Sequence, residues 1–109
     1  MEFKKTEEGE ATVYRLIGRL DTQSAPEFQD VLEEGFGRGE NKLVFDCKDL
    51  EYMSSAGLRA ILYAKKRIDG EDDGENASSG YLKLVNVSED ILEVFEMTGF
   101  VDFLNINEN

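Results

Sequence analysis

The sequence predicts an α/β fold: one domain over residues 1–109, with a mixed, mostly parallel sheet of four to five strands and crossover helices. Two observations carry this. Short segments with apolar residues every second position alternate along the chain with longer segments whose apolar residues recur every three or four. Such strict alternation of strand and helix is the pattern of parallel strands joined by crossovers. There is also no internal repeat and no linker-like stretch that would divide the chain.

Residues 11–17 predict the first strand, since Val13, Arg15 and Ile17 alternate with Tyr14 and Leu16. Gly18 to Gln23 break the pattern. Ser24-Ala25-Pro26-Glu27 then reads as a helix start, with Ser24 as cap, Glu27 reaching back in a capping box and Pro26 in the first turn. Phe28, Val31, Leu32 and Phe36 form the apolar stripe, and Gly35, Gly37 and Gly39 are expected to stop the helix. Leu43-Val44-Phe45, extended by Asp46 and Cys47, predicts a central strand buried on both faces.

A second helix should begin near Ser54 or Ser55, bury Leu58, Ile61, Leu62 and Ile68, and expose Arg59, Lys66 and Arg67. Residues 69–80 read as a mobile acidic loop. Tyr81 to Val87 predict a strand, and Ser88 caps a third helix with Glu89 and Asp90 in its first turn. Its stripe is Ile91, Leu92 and Phe95, and Gly99 ends it, with Phe100 packing back. Phe103, Leu104 and Ile106 complete a last strand.

Twelve Lys and Arg against twenty-four Asp and Glu leave a formal charge of -12. Nucleic acid and anionic membrane surfaces are therefore poor partners, and a basic protein surface is a better one. Histidine is absent and Cys47 is the sole cysteine. An internal disulfide is impossible, and zinc coordination and histidine-based acid–base chemistry lose their usual groups. No cofactor is expected. The opening Met-Glu-Phe-Lys-Lys lacks the form of a signal peptide and no apolar run approaches membrane-spanning length, so the expected location is the cytoplasm.

Asp69, Glu71, Asp73 and Gly74 imitate the start of a calcium loop, but Glu71 is the wrong acid and Gly80 stands where a closing Glu belongs. A solvated loop is the expectation. Cys47 reads as a buried, inert thiol. Gly35-Phe36-Gly37-Arg38-Gly39 follows a helix, so its amides are misplaced for cradling phosphate. The informative stretch is Asp49 to Leu58, which joins the central strand to the second helix. Two serines, Ser54 and Ser55, stand at the helix N-terminus. On the plain reading one is an N-cap and the other small filler. A phosphate attached at this helix end would sit in its positive potential and add about 1.5–2 negative charges without a change of fold, and a capping role stays compatible with it.

The run Phe45-Asp46-Cys47-Lys48-Asp49-Leu50-Glu51-Tyr52-Met53-Ser54-Ser55-Ala56-Gly57-Leu58-Arg59-Ala60-Ile61-Leu62 resembles the signature of STAS domains, more narrowly that of bacterial anti-sigma factor antagonists. Gly18-Arg19-Leu20-Asp21 and Phe95-Glu96-Met97-Thr98-Gly99-Phe100 are similar to two further segments of that family. The resemblance implies a substrate and ligand, not an enzyme. It implies capture of an anti-sigma factor serine kinase when unphosphorylated, release on phosphorylation of Ser55, and resetting by a metal-dependent serine phosphatase. Ser54 is the less favoured acceptor. The partner-facing surface implied is Asp21, Thr22, Ser54, Ser55, Gly57 and Arg59, although an Asx turn also accounts for Asp21 and close packing for Gly57. Asp46 is expected to make structural hydrogen bonds. The alternative is a constitutive STAS subunit of a sensory complex or lipid transporter, in which the serine is only a cap.

Overall fold

The computed structural model describes residues 1–69, 80–99 and 105–107. It contains β1 (Glu2–Glu8), β2 (Ala11–Leu20), α1 (Ala25–Gly37), β3 (Lys42–Met53), α2 (Ser55–Asp69), β4 (Tyr81–Val85), α3 (Glu89–Thr98) and β5 (Asn105–Asn107). The sheet order is β1-β2-β3-β4-β5, with β1 antiparallel to β2 and every other pair parallel. Strands thus add in sequence order. Among the described residues the crossovers advance the same way, and right-handed crossovers of this kind put their helices on one face.

Burial follows from this. Tyr14, Leu16, Phe45, Cys47, Leu82 and Leu84 point under the helices and are buried. Their neighbours Val13, Arg15, Ile17, Val44, Asp46 and Val85 are only partly covered, and Lys83 is exposed. β3 therefore corrects the expectation of a strand buried on both faces: it is central in the sheet but its burial alternates, because among the described residues no helix lies over the other side. It also runs on to Met53, well past Cys47.

β1 was not legible as a strand. Its sequence, Glu-Phe-Lys-Lys-Thr-Glu-Glu, carries one apolar residue, Phe3. As an edge strand it needs little more, since pairing with β2 supplies its hydrogen bonds. Phe3 stacks on Phe28 of α1 at 5.3 Å between centroids, and Phe28 meets Phe45 edge-on at 5.3 Å. The fully buried rings of Phe28 and Phe45 each contribute about 1.5–3 kcal/mol.

Of the helix-end expectations for α1 one fails and one holds only in part, since the helix does end at Gly37. Ser24 makes no side-chain cap bond to the helix. Its hydroxyl instead donates to the Arg19 carbonyl at 2.7 Å and accepts from the Asp21 amide at 2.9 Å, which leaves it unavailable for a capping box with Glu27. Nor does Gly35 stop the helix. It is buried inside α1, where an added Cβ would lie 2.7 Å from the Tyr14 hydroxyl. The turn comes at Gly39, with φ +87°. By contrast, α3 ends as expected on Gly99 at φ 79° and starts on Ser88, whose Oγ accepts from the Ile91 amide at 3.3 Å.

Residues 70–79, and with them most of the acidic-loop expectation, lie outside the described residues, as do Phe100, Phe103 and Leu104. Asp69 closes α2, and Ile106 falls within β5.

Candidate functional site

The site forms where β2 and β3 end together. Leu20 pairs with Met53, so the turn after β2 and the start of α2 leave the sheet side by side. The Ser54 amide donates to the Leu20 carbonyl at 2.9 Å, tying the two segments directly. Open α/β sheets commonly place their ligand-facing residues at such carboxyl ends.

Ser54 is the cap. Its Oγ accepts from the Gly57 amide at 3.3 Å and its carbonyl accepts the first helical bond, from Leu58, at 2.9 Å. Ser55 is the first residue of α2 and is exposed. The adjacent serines thus divide the roles that the sequence left open: one satisfies the backbone, the other presents a hydroxyl. α2 has no acidic residue in its first turn, whereas α1 has Glu27 and α3 has Glu89 and Asp90. The positive end of the α2 dipole is thus not offset by a carboxylate of its own first turn.

Gly57 is buried against the end of β2. A Cβ there would lie 2.6 Å from the Leu20 carbonyl oxygen and 2.7 Å from Leu20 Cγ. Close packing therefore explains this glycine, which shapes the site without presenting a side chain.

Asp21 organises the facing turn. Its Oδ1 accepts from the Gln23 amide at 3.0 Å and the Ser24 amide at 3.1 Å, which is an Asx turn. The Ser24 amide, foremost among these partners, holds the Asp21 carboxyl below the ordinary aspartate range. Desolvation opposes the shift, while Gln23, the Ser24 hydroxyl and Arg19 reinforce it. Thr22, at the tip of the turn, is exposed.

Between α1 and α2 runs an open groove of about 480 Å³ lined by Thr22, Pro26, Gln29, Ala56, Arg59 and Tyr63 among others. Its base includes the buried Ala25 and Ala60. Sequence reasoning named Thr22 and Arg59 but missed Pro26, Gln29 and Tyr63, because a groove between two helices depends on how they cross. It also missed the stack of the Arg19 guanidinium on the Tyr52 ring, 4.3 Å to the centroid. The signal available was Tyr52 itself, an aromatic 42% exposed beside the serines.

Asp46 has the structural role expected of it. Its Oδ1 accepts from the Asn86 side-chain amide and the Lys48 amide, both at 3.0 Å, bracing Asn86 at φ 56°. Cys47 is buried, and burial above all, with the neighbouring Asp46 charge, pushes its thiol up to about 12. It is a packing residue in this fold. Among the described residues no group of three potential ligands could hold a metal ion, and no helix is long and apolar enough to cross a membrane.

A STAS domain model matches residues 2–109. The chain belongs to the STAS domain family. The anti-sigma-B factor antagonist of Staphylococcus aureus is 30% identical over 91 residues, covering 84% of this chain and 78% of the relative. Among solved structures, the Bacillus cell fate determinant SpoIIAA in its phosphorylated form matches with a TM-score of 0.72 and 19% identity, covering 99% of this chain and 91% of that one. An anti-sigma factor antagonist from Mycobacterium paratuberculosis matches with a TM-score of 0.80 and 15% identity, covering 96% and 83%. At these identities the solved structures establish the shared fold. In this STAS domain Ser55 and Thr22 are exposed and Asp21 is half-buried, on the segments that follow β3 and β2.

Proposed function

We propose that this protein is a cytoplasmic anti-sigma factor antagonist that acts by binding and is switched by phosphorylation of Ser55. The observation that supports this most is the exposed Ser55 hydroxyl at the start of α2, freed from capping by Ser54. The similarity to an anti-sigma-B factor antagonist supplies the partner class.

In this reading the unmodified chain holds an anti-sigma factor serine kinase through the rim of Asp21, Thr22, Ser54 and Ser55 and the adjoining groove residue Arg59. Gly57 lets α2 seat closely enough to form that rim. The kinase transfers the γ-phosphoryl group of ATP to the Ser55 oxygen, and the hydroxyl proton leaves. A dianion then occupies a surface fitted to a neutral hydroxyl, and an unpaired charge within a packed interface weakens it. A metal-dependent serine phosphatase restores the hydroxyl. The protein is substrate and ligand throughout.

The test is binding of the candidate kinase to the parent, Ser55→Ala and Ser55→Asp, with intact-mass mapping after incubation with ATP. Ser55→Asp should bind on the order of tenfold or more weakly than Ser55→Ala, about 1.4 kcal/mol. Equal affinities for all three proteins, with no phosphate added, would instead favour a constitutive STAS assembly subunit.

A further inference from the structure

Five arginines occur in the chain, and four are engaged. Arg15 pairs with Asp49, Arg19 with Asp21 and Tyr52, Arg38 with Glu40, and Arg67 with Glu33, Phe36 and Tyr63. Arg59 is exposed and has no ion-pair partner among the described residues. It lies four residues after Ser55 on α2, and so on the same face of the helix. Helical side chains lean toward the N-terminus, which carries the Arg59 stem over the turn that contains Ser55. An anion four residues ahead of a cation is also the more favourable order for such a pair.

We propose that Arg59 is the internal receptor of the phosphoryl group on Ser55, turning from the α1–α2 groove to pair with it. The inference rests on the reading of Ser55 as the phosphorylated residue. The guanidinium presents two parallel N–H donors that match two phosphate oxygens, a geometry an ammonium lacks. Modification then changes the binding surface twice. It adds negative charge at the rim and withdraws the free cation from the groove beside Thr22 and Tyr63. A partner that offered a carboxylate to Arg59 would lose that contact at the same moment that it met the phosphate.

The test needs neither kinase nor partner. Phosphoserine is placed at residue 55 of the full chain by genetically encoded incorporation, in the parent and in Arg59→Gln and Arg59→Lys. The second ionisation of the phosphate is then followed by ³¹P NMR against pH at low salt. A nearby cation favours the dianion, so the parent midpoint should lie below that of Arg59→Gln by about 0.4 unit. Arg59→Lys should fall between them. Amide spectra of the variants should match the parent away from residue 59, since the side chain is exposed. Equal midpoints for the parent and Arg59→Gln overturn the capture of phosphate by Arg59 and leave the switch itself standing. Failure of every candidate kinase to modify Ser55 counts against the switch and does not touch this titration.

Discussion

The two ends of the sheet are held together by different means. At the Ser55 end, strands β2 and β3 finish flush, and the turns beyond them are fixed by bonds that involve backbone: Ser54 to Leu20, Gly57 to Ser54, and Gln23 and Ser24 to Asp21. Exposed side chains such as Thr22, Ser55 and Arg59 are left over. At the opposite end, side chains are consumed by one another. Glu40, in the turn after α1, accepts from the Tyr14 hydroxyl and from Lys5 and lies within 3.4 Å of Arg38. Three segments are clasped on a single carboxylate. An end built by its backbone leaves side chains exposed, and an end built by side chains leaves few.

The comparison breaks first at Gly57. Gly57→Val should destabilise the fold by about 3 kcal/mol, because its nearest neighbour is a backbone carbonyl that cannot move aside. Urea denaturation measures this, and a loss under 1 kcal/mol would mean that α2 can lift off β2 easily. The clasp comes next. Tyr14→Phe removes a hydrogen bond to a carboxylate and should cost about 1.5 kcal/mol.

The same clasp predicts a pH effect. Burial pushes the Glu40 carboxyl up, but the hydrogen bonds from Lys5 and Tyr14 and the charges of Lys5 and Arg38 outweigh it, so the group sits below its ordinary value. Its contribution is complete above the unfolded carboxylate pKa and is lost as pH falls through the lower folded value. Glu40→Gln should therefore flatten the acid side of the stability curve, read as urea midpoints between neutral and acidic pH. A curve parallel to the parent would remove the clasp from the account.

The smallest effects separate the serines. Ser54→Ala deletes a cap and should cost about 1 kcal/mol. Ser55→Ala should change stability by less than about 0.5 kcal/mol, as an exposed substitution. Thermal melts of the two single variants decide this. Reversed magnitudes would exchange their roles and make Ser54 the free hydroxyl.

Much of this molecule was legible in its sequence because the signals are local. The stripe of α2, the Ser88 cap, the Gly99 stop and the serine pair after β3 each depend on residues within a few positions of one another. β1 and the α1 cap were not legible, and the reason is shared. Glu2–Glu8 is a strand because β2 lies beside it, and Ser24 is not a side-chain cap because Arg19 and Asp21 compete for its hydroxyl. In the site, Ser54 and Ser55 were found together, but their division of labour required the helix start to be placed to within one residue. Gly35 shows the same limit: its glycine answers to Tyr14 and Glu40, which lie over it from β2 and from the turn before β3.

By itself the sequence determined the fold class, the alternation of elements and the placing of two serines at a helix start. Periodicity, capping and helix-stop chemistry act over one or two turns and are written in adjacent residues. Only the tertiary structure decided that one sheet face is merely half-buried, that Ser55 is the more exposed of the two serines, and that Arg59 has no ion-pair partner among the described residues. Those outcomes depend on what the folded chain brings against each residue from elsewhere, and no local pattern encodes a neighbour thirty positions away.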